Sequence, residues 1–307
     1  MNGTLHFCYE RTVAAVHHAA RRLIGVDFSW GVAGASVRGA RHEETGEPNQ
    51  DSFAVTIAGA ARLALAVADG HGDRRRHFRS ELGSSFACEA AMSVWAPLLK
   101  RRGLIGATDL QAAAQQMLTN WRERVEQDLK ARPFTEEELS RIPESQLKLV
   151  LEHPYFSYGS TLVTTAISGQ DLVIIQIGDG DAIAAYESGV RRLIPPKPQI
   201  GQATDSLCDV DAWEKFRIAR YALGQEDPLH CLALATDGLV NSFRRSEGDE
   251  DFLQVAADLV TLADEVGPKA VERELEELLR PLAGEWSADD VTTAFAYRQN
   301  PPSGERR

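Results

Sequence analysis

Three apolar runs in this chain stop abruptly at an Asp-Gly pair. Leu63-Ala64-Leu65-Ala66-Val67-Ala68 ends in Asp69-Gly70-His71-Gly72, and Leu172-Val173-Ile174-Ile175 leads into Ile177-Gly178-Asp179-Gly180-Asp181. The third, Cys231-Leu232-Ala233-Leu234, leads into Ala235-Thr236-Asp237-Gly238. A short apolar run bounded by glycine reads as a buried strand that ends in a sharp turn. A carboxylate delivered there sits on a rigid element. One Asp-Gly is ordinarily only a turn. Three at the ends of apolar strands, with Asp289-Asp290 ahead of a final strand, point to carboxylates converging on cations.

The remaining pattern gives a fold class. Strands are expected near 30–37, 51–57, 62–68, 160–167, 171–177, 182–187, 231–236 and 291–297. Helices are expected over Arg79–Lys100, Asp109–Lys130, about 249–264 and about 268–281, where small apolar residues and leucines recur at helical spacing. Thr135 followed by Glu138 marks the start of a short capped helix. Strands grouped at both ends, with blocks of helices between them, make an α+β layered chain rather than a strict βαβ alternation. Residues 1–29 read as an N-terminal helical extension, with Val13, Val16, Ala20 and Leu23 on one face. Residues 30–298 form the main domain, and the polar, Pro-containing stretch 299–307 reads as a disordered tail.

A net charge of −12 argues against nucleic acid as the main partner, since phosphate backbones require clustered cations. No run approaches the roughly 20 apolar residues that span a bilayer, so no membrane role is expected. Cys8, Cys88, Cys208 and Cys231 are far apart and lack zinc or redox spacing. They read as free thiols, and with no signal-peptide pattern a cytoplasmic location is expected.

Hard cations such as Mg²⁺ and Mn²⁺ prefer oxygen ligands, and crowded aspartates repel one another unless a cation neutralises them. The candidates are Asp51, Asp69, Asp179, Asp181, Asp237, Asp289 and Asp290. Two cations that share a bridging carboxylate can ionise a water near neutral pH. From the residues alone, this is a two-metal hydrolase acting on a phosphate ester.

Six motifs in order then resemble the metal-dependent type 2C (PPM-type) serine/threonine protein phosphatases, in particular a bacterial subgroup. They are Asn49-Gln50-Asp51-Ser52, Asp69-Gly70-His71-Gly72, Tyr158-Gly159-Ser160-Thr161, Gly178-Asp179-Gly180-Asp181, Ala235-Thr236-Asp237-Gly238-Leu239 and Asp289-Asp290-Val291-Thr292, spread over about residues 32–297. The resemblance implies a β-sandwich of two antiparallel sheets flanked by helices on both sides. It implies two divalent cations, Mn²⁺ or Mg²⁺, bound by Asp51, Asp69, Gly70 through its carbonyl, Asp179, Asp237 and Asp289, with Asp69 bridging the pair. Asp69, His71 and Asp237 would be the catalytic residues: water ionised between the cations attacks phosphorus, and His71 protonates the departing seryl or threonyl oxygen. The implied partner is a phosphorylated protein with a cognate Ser/Thr kinase, and the enzyme is expected to be a monomer in a signalling role.

The pattern departs from the better-known members at three places, one being Asn241 where some carry an Asp, which argues against a third metal. Gln50 stands where they carry Glu, and its amide oxygen could still ligate. Gly46 stands where they place a phosphate-binding Arg, which leaves Arg41 or His42 to hold the substrate phosphate. These departures keep open an alternative, a weak or inactive pseudophosphatase that binds a phosphoprotein. Hydrolysis of a small phosphomonoester is a further reading. Arg74-Arg75-Arg76-His77 is either a clamp for a phosphorylated segment or a solvated turn. Trp95, Trp121, Trp213 and Trp286 read as core or edge packing, and the stretch from Pro195 to Phe216 reads as a variable flap beside the site.

Overall fold

The computed structural model describes residues 29–59, 61–73, 75–100, 109–195, 204–224, 226–241 and 268–299. Two five-stranded antiparallel sheets form its centre. In spatial order, one sheet is Ser29–Val37 (β1), Val291–Gln299 (β10), Leu229–Ala235 (β9), Asp181–Tyr186 (β6) and Gly189–Arg192 (β7). The other is Ser52–Ile57 (β2), Arg62–Ala68 (β3), Leu162–Ser168 (β4), Asp171–Ile177 (β5) and Arg217–Ala222 (β8).

The side-chain period of two explains why both faces of these strands are apolar. In β3, Leu63, Leu65 and Val67 point between the sheets. There they meet Val163 and Ile174 of their own sheet and Ala184, Leu232, Leu234 and Ala294 of the other. Ala64, Ala66 and Ala68 point outward against the helices Ser80–Lys100 (α2) and Leu110–Ala131 (α3). Alanine on that face lets the helices approach closely, and the bulk comes from buried Trp95, Met117 and Trp121. On the other sheet's outer face, Val271, Leu275 and Leu279 of the helix Pro268–Pro281 (α8) cover Ala33, Ala233 and Phe295. Helices thus flank the sandwich on both sides.

The strand and helix expectations hold to within two residues at most ends, with some corrections. β7 and β8 were not expected from sequence, because Gly189-Val190-Arg191-Arg192 is short and charged and Arg217–Ala222 spaces its two arginines three apart, off a strand's period of two. Four short helices were also missed: Ala40–Thr45 (α1), Glu144–Glu152 (α5), Ala212–Lys215 (α6) and Asp237–Asn241 (α7). Trp213, on α6, is 48% exposed rather than packed, whereas Trp95 and Trp121 are fully buried. The capped helix is present as Glu136–Ser140 (α4), with Thr135 and Glu138 in a reciprocal capping box. The expectations over 1–28, 249–264 and 300–307 lie outside the described residues.

One buried cation ties the helices to the end of β3. The Arg79 guanidinium donates to both Glu138 carboxylate oxygens (2.8 and 2.9 Å), to Asp128 Oδ2 (3.2 Å), to Tyr158 Oη (2.7 Å) and to the Arg132 carbonyl (2.7 Å). It also lies 5.0 Å over the Phe134 ring. Its backbone N–H donates to the Ser157 carbonyl (2.8 Å), so the loop after Asp69 is fastened at one point to α3, α4 and the turn before β4.

Arg79→Ala leaves Glu138 with no cation and Asp128 with Arg132 alone, and is expected to cost ~3–5 kcal/mol in urea unfolding. The Arg79 hydrogen bond holds Glu138 below its ordinary carboxylate value of 4.5. A carboxylate lowered by folding stabilises the native state above that value and loses the contribution as pH falls through its native pKa. Thermal unfolding of wild type should therefore drop more steeply below pH 4.5 than that of Glu138→Gln.

Candidate functional site

The ends of β3, β5 and β9 meet at one end of the sandwich. Carboxylate oxygens of Asp69, Asp179 and Asp237 lie within 4.8 Å of one another. Backbone bonds fix the first of them: the Asp69 N–H donates to Thr161 Oγ1 (3.0 Å) and the Thr161 N–H donates to the Asp69 carbonyl (2.8 Å). Thr204 Oγ1 donates to Asp179 Oδ2 (2.7 Å), and Asp237 opens the short helix Asp237–Asn241 (α7).

Two glycines are required by this geometry. A Cβ on Gly70 would stand 2.7 Å from the carbonyls of both Gln50 and Ser80. Gly178 has φ +99°, and a Cβ there would strike Thr161. These constraints place the Asp-Gly pairs at the sheet edge with no room for a larger residue.

Asp51 and Asp289 complete the acidic rim. Thr236 Oγ1 donates to Asp51 Oδ2 (2.7 Å), and the Asp290 N–H donates to Asp289 Oδ1 (3.1 Å). Ala288, just before Asp289, has a left-handed φ of 60°, a local strain at the site's edge. Burial raises the Asp69 pKa far above the ordinary carboxylate range, reinforced by Asp51, Asp237, Asp289 and Asp179. Burial, aided by Asp290, pushes Asp51 up to about 8. Such a set is destabilised by its own charge and is stabilised by hard cations with oxygen-only coordination. The donor set fits divalent metal.

Several expected residues fall elsewhere. His42 is buried with Nδ1 2.9 Å from Asp290 Oδ2 and Nε2 3.6 Å from Glu47, and it does not line the cleft. Asp290 itself accepts the N–H groups of Gly39 (2.7 Å) and Gln50 (2.6 Å), so it anchors backbone. Asp181 is buried 2.7 Å from Arg192 Nε on β7. The Gln50 carboxamide nitrogen donates to the carbonyls of Gly70 (3.2 Å) and His71 (3.1 Å), so this amide faces the turn's backbone. Arg41, by contrast, does line the cleft, with its guanidinium 3.5 Å from Asp289.

Sequence reasoning did not single out the role of His77. Its Nδ1 lies 2.5 Å from the Phe156 carbonyl, and its ring packs edge-on to His71 with centroids 4.9 Å apart. Burial, with a smaller effect from His77, pushes His71 down to about 3, so its imidazole is neutral at rest. Arg75 and Arg76 are exposed, and Arg76 bonds Asp73 (3.1 Å). The acidic cluster opens into a cleft of about 770 Å³ lined also by Gln146, Leu149, Val150, Phe156, Ser206 and Asp209.

The neighbours Asp289 and Asp290 should separate in stability measurements. Asp290→Ala strands two backbone N–H groups and a buried imidazole, and is expected to cost ~2–5 kcal/mol. Asp289→Ala removes a half-exposed, mutually repelled carboxylate, and in chelator should shift the unfolding free energy by less than ~1 kcal/mol.

Known proteins agree with this architecture. The family model described as protein phosphatase 2C matches residues 38–280. PppA of Pseudomonas aeruginosa, a key regulatory component of T6SS, superposes with TM-score 0.56 at 18% identity, over 88% of this chain and 98% of that one. The S. agalactiae serine/threonine phosphatase gives TM-score 0.54 at 18% identity, over 87% and 99%. The catalytic domain of the serine threonine protein phosphatase PstP, solved with two manganese ions, gives 0.51 at 17%, over 89% and 100%. No curated protein sequence matches the chain significantly. With its family model covering most of the chain and its sandwich shared with these enzymes, the chain belongs to the protein phosphatase 2C family.

Proposed function

We propose that the cleft hydrolyses phosphoseryl and phosphothreonyl esters of proteins with the help of two divalent cations, Mn²⁺ or Mg²⁺. The observation that carries this is the approach of Asp69, Asp179 and Asp237 to within 4.8 Å at the floor of an open cleft. Asp69, with the Gly70 carbonyl, Asp51, Asp179, Asp237 and Asp289, would hold the cations. The carbonyl of Gly70 accepts from Gln50 and retains a second lone pair for a cation. When bound, the cations supply Lewis acidity and an ionised water.

The chain's own groups do the rest. Arg41 would receive the substrate phosphate: it lines the cleft 3.5 Å from Asp289, whereas His42 is taken up by the buried Asp290 network. His71, held by its N–H bond to the Gly159 carbonyl (3.1 Å), is the group placed to pass a proton to the departing seryl or threonyl oxygen. No side-chain nucleophile is needed, and the buried Cys208 at the cleft edge is held as a neutral thiol, pushed up to about 11 by burial.

This reading sets the protein against a cytoplasmic Ser/Thr kinase in a signalling pair. Among the described residues no helix is long and apolar enough to cross a membrane. A phosphothreonine peptide with Mn²⁺ should be turned over, and chelator should abolish the rate. Asp69→Asn should lower kcat by at least ~100-fold while the protein remains folded. Arg41→Ala should raise KM more than it lowers kcat, by about tenfold. Unchanged turnover in Asp69→Asn, or in chelator, contradicts the proposal.

A further inference from the structure

One wall of the cleft carries no charge. Helix α5 reads Glu144-Ser145-Gln146-Leu147-Lys148-Leu149-Val150-Leu151-Glu152. At 3.6 residues per turn, Gln146, Leu149 and Val150 share one stripe, and these three line the cleft beside Phe156. Leu147 belongs to a different stripe and packs, together with Val150, against Phe78 and Ile142. Leu149 is in no core cluster and is 43% exposed, so internal packing does not account for a leucine there.

The wall is rigid. Phe78 and Ile142 hold α5 through Val150, the His77 imidazole meets the Phe156 carbonyl, and Arg79 fastens the preceding segment. An apolar surface already fixed in place binds a side chain without further ordering cost. Asp69, Asp237 and this wall line the same cleft, so a molecule whose phosphate meets cations held by the acidic cluster has α5 as one wall available to its adjacent atoms. Asp73 and Asp209 also line the cleft, paired with Arg76 (3.1 Å) and Lys215 (2.9 Å).

We infer that Gln146, Leu149, Val150 and Phe156 form a subsite for a bulky apolar side chain next to the phosphorylated residue. This rests on the reading of the cleft as a protein phosphatase site. It assigns the substrate class: an extended phosphorylated segment with a leucine-like neighbour, in place of a free small phosphomonoester.

The test uses the full chain with Mn²⁺, an aryl phosphate, and phosphothreonine peptides that differ only in carrying Leu or Ala beside the phosphothreonine, on each side in turn. On one side the Leu peptide should show about tenfold higher kcat/KM than the Ala peptide, chiefly through KM. Leu149→Ser should bring that ratio close to one, while Leu151→Ser, on the same helix but outside the cleft, should leave it unchanged. Equal kcat/KM for Leu and Ala on both sides overturns the subsite while peptide turnover leaves the phosphatase reading standing. A Leu preference that survives Leu149→Ser overturns it too. Turnover of the aryl phosphate but of no peptide overturns both the subsite and the protein-substrate reading.

Discussion

Everything at the functional end of this protein depends on holding together carboxylates that repel one another. Asp69 and Asp51 are partly buried, and desolvation with neighbouring charge pushes both well above the ordinary carboxylate range. Left to themselves, such groups would move apart or neutralise. They stay because the backbone under them is fixed by strand pairing on both sheets. β3 is held on two sides by β2 and β4, and β9 by β6 and β10. The sandwich core therefore serves as the device that opposes the electrostatic cost of the site. A hard cation turns that cost into affinity.

A second set of polar groups sits just behind the first and bears no direct part in it. Asp290 gathers Gly39, Gln50 and His42, and Gln50 in turn holds the carbonyls of Gly70 and His71. These buried bonds set the position of the turn that carries Asp69 and of Asp289 next in sequence. Arg79 does the same from the helical side. The geometry of the cleft is thus over-determined from two directions, as expected of a site in which small displacements matter.

Much of this was legible in the sequence because strong local signals coincide with function. An apolar run ending in Asp-Gly reports both burial and a turn, so Asp69, Asp179 and Asp237 were found together, and the order of motifs gave the sandwich. Burial of polar residues was not legible. His42 and Asp290 look like site residues by composition and proximity, yet they satisfy each other inside the protein, a pairing separated by most of the chain. Asp181 escaped for a similar reason, because Arg192 lies on β7, an edge strand too short and charged to recognise. Helix α5 has a clear 3.6 period, but at nine residues after Pro143 it did not stand out, and with it the apolar wall was missed.

The most direct test of the central claim is the stoichiometry of Mn²⁺ binding to the full chain, measured by titration calorimetry after chelator treatment. The account predicts two ions per chain, with Asp69→Asn losing measurable binding because it removes the shared ligand. A folded wild-type protein that takes up no Mn²⁺ at millimolar concentration, or an Asp69→Asn variant that binds as wild type does, would contradict it.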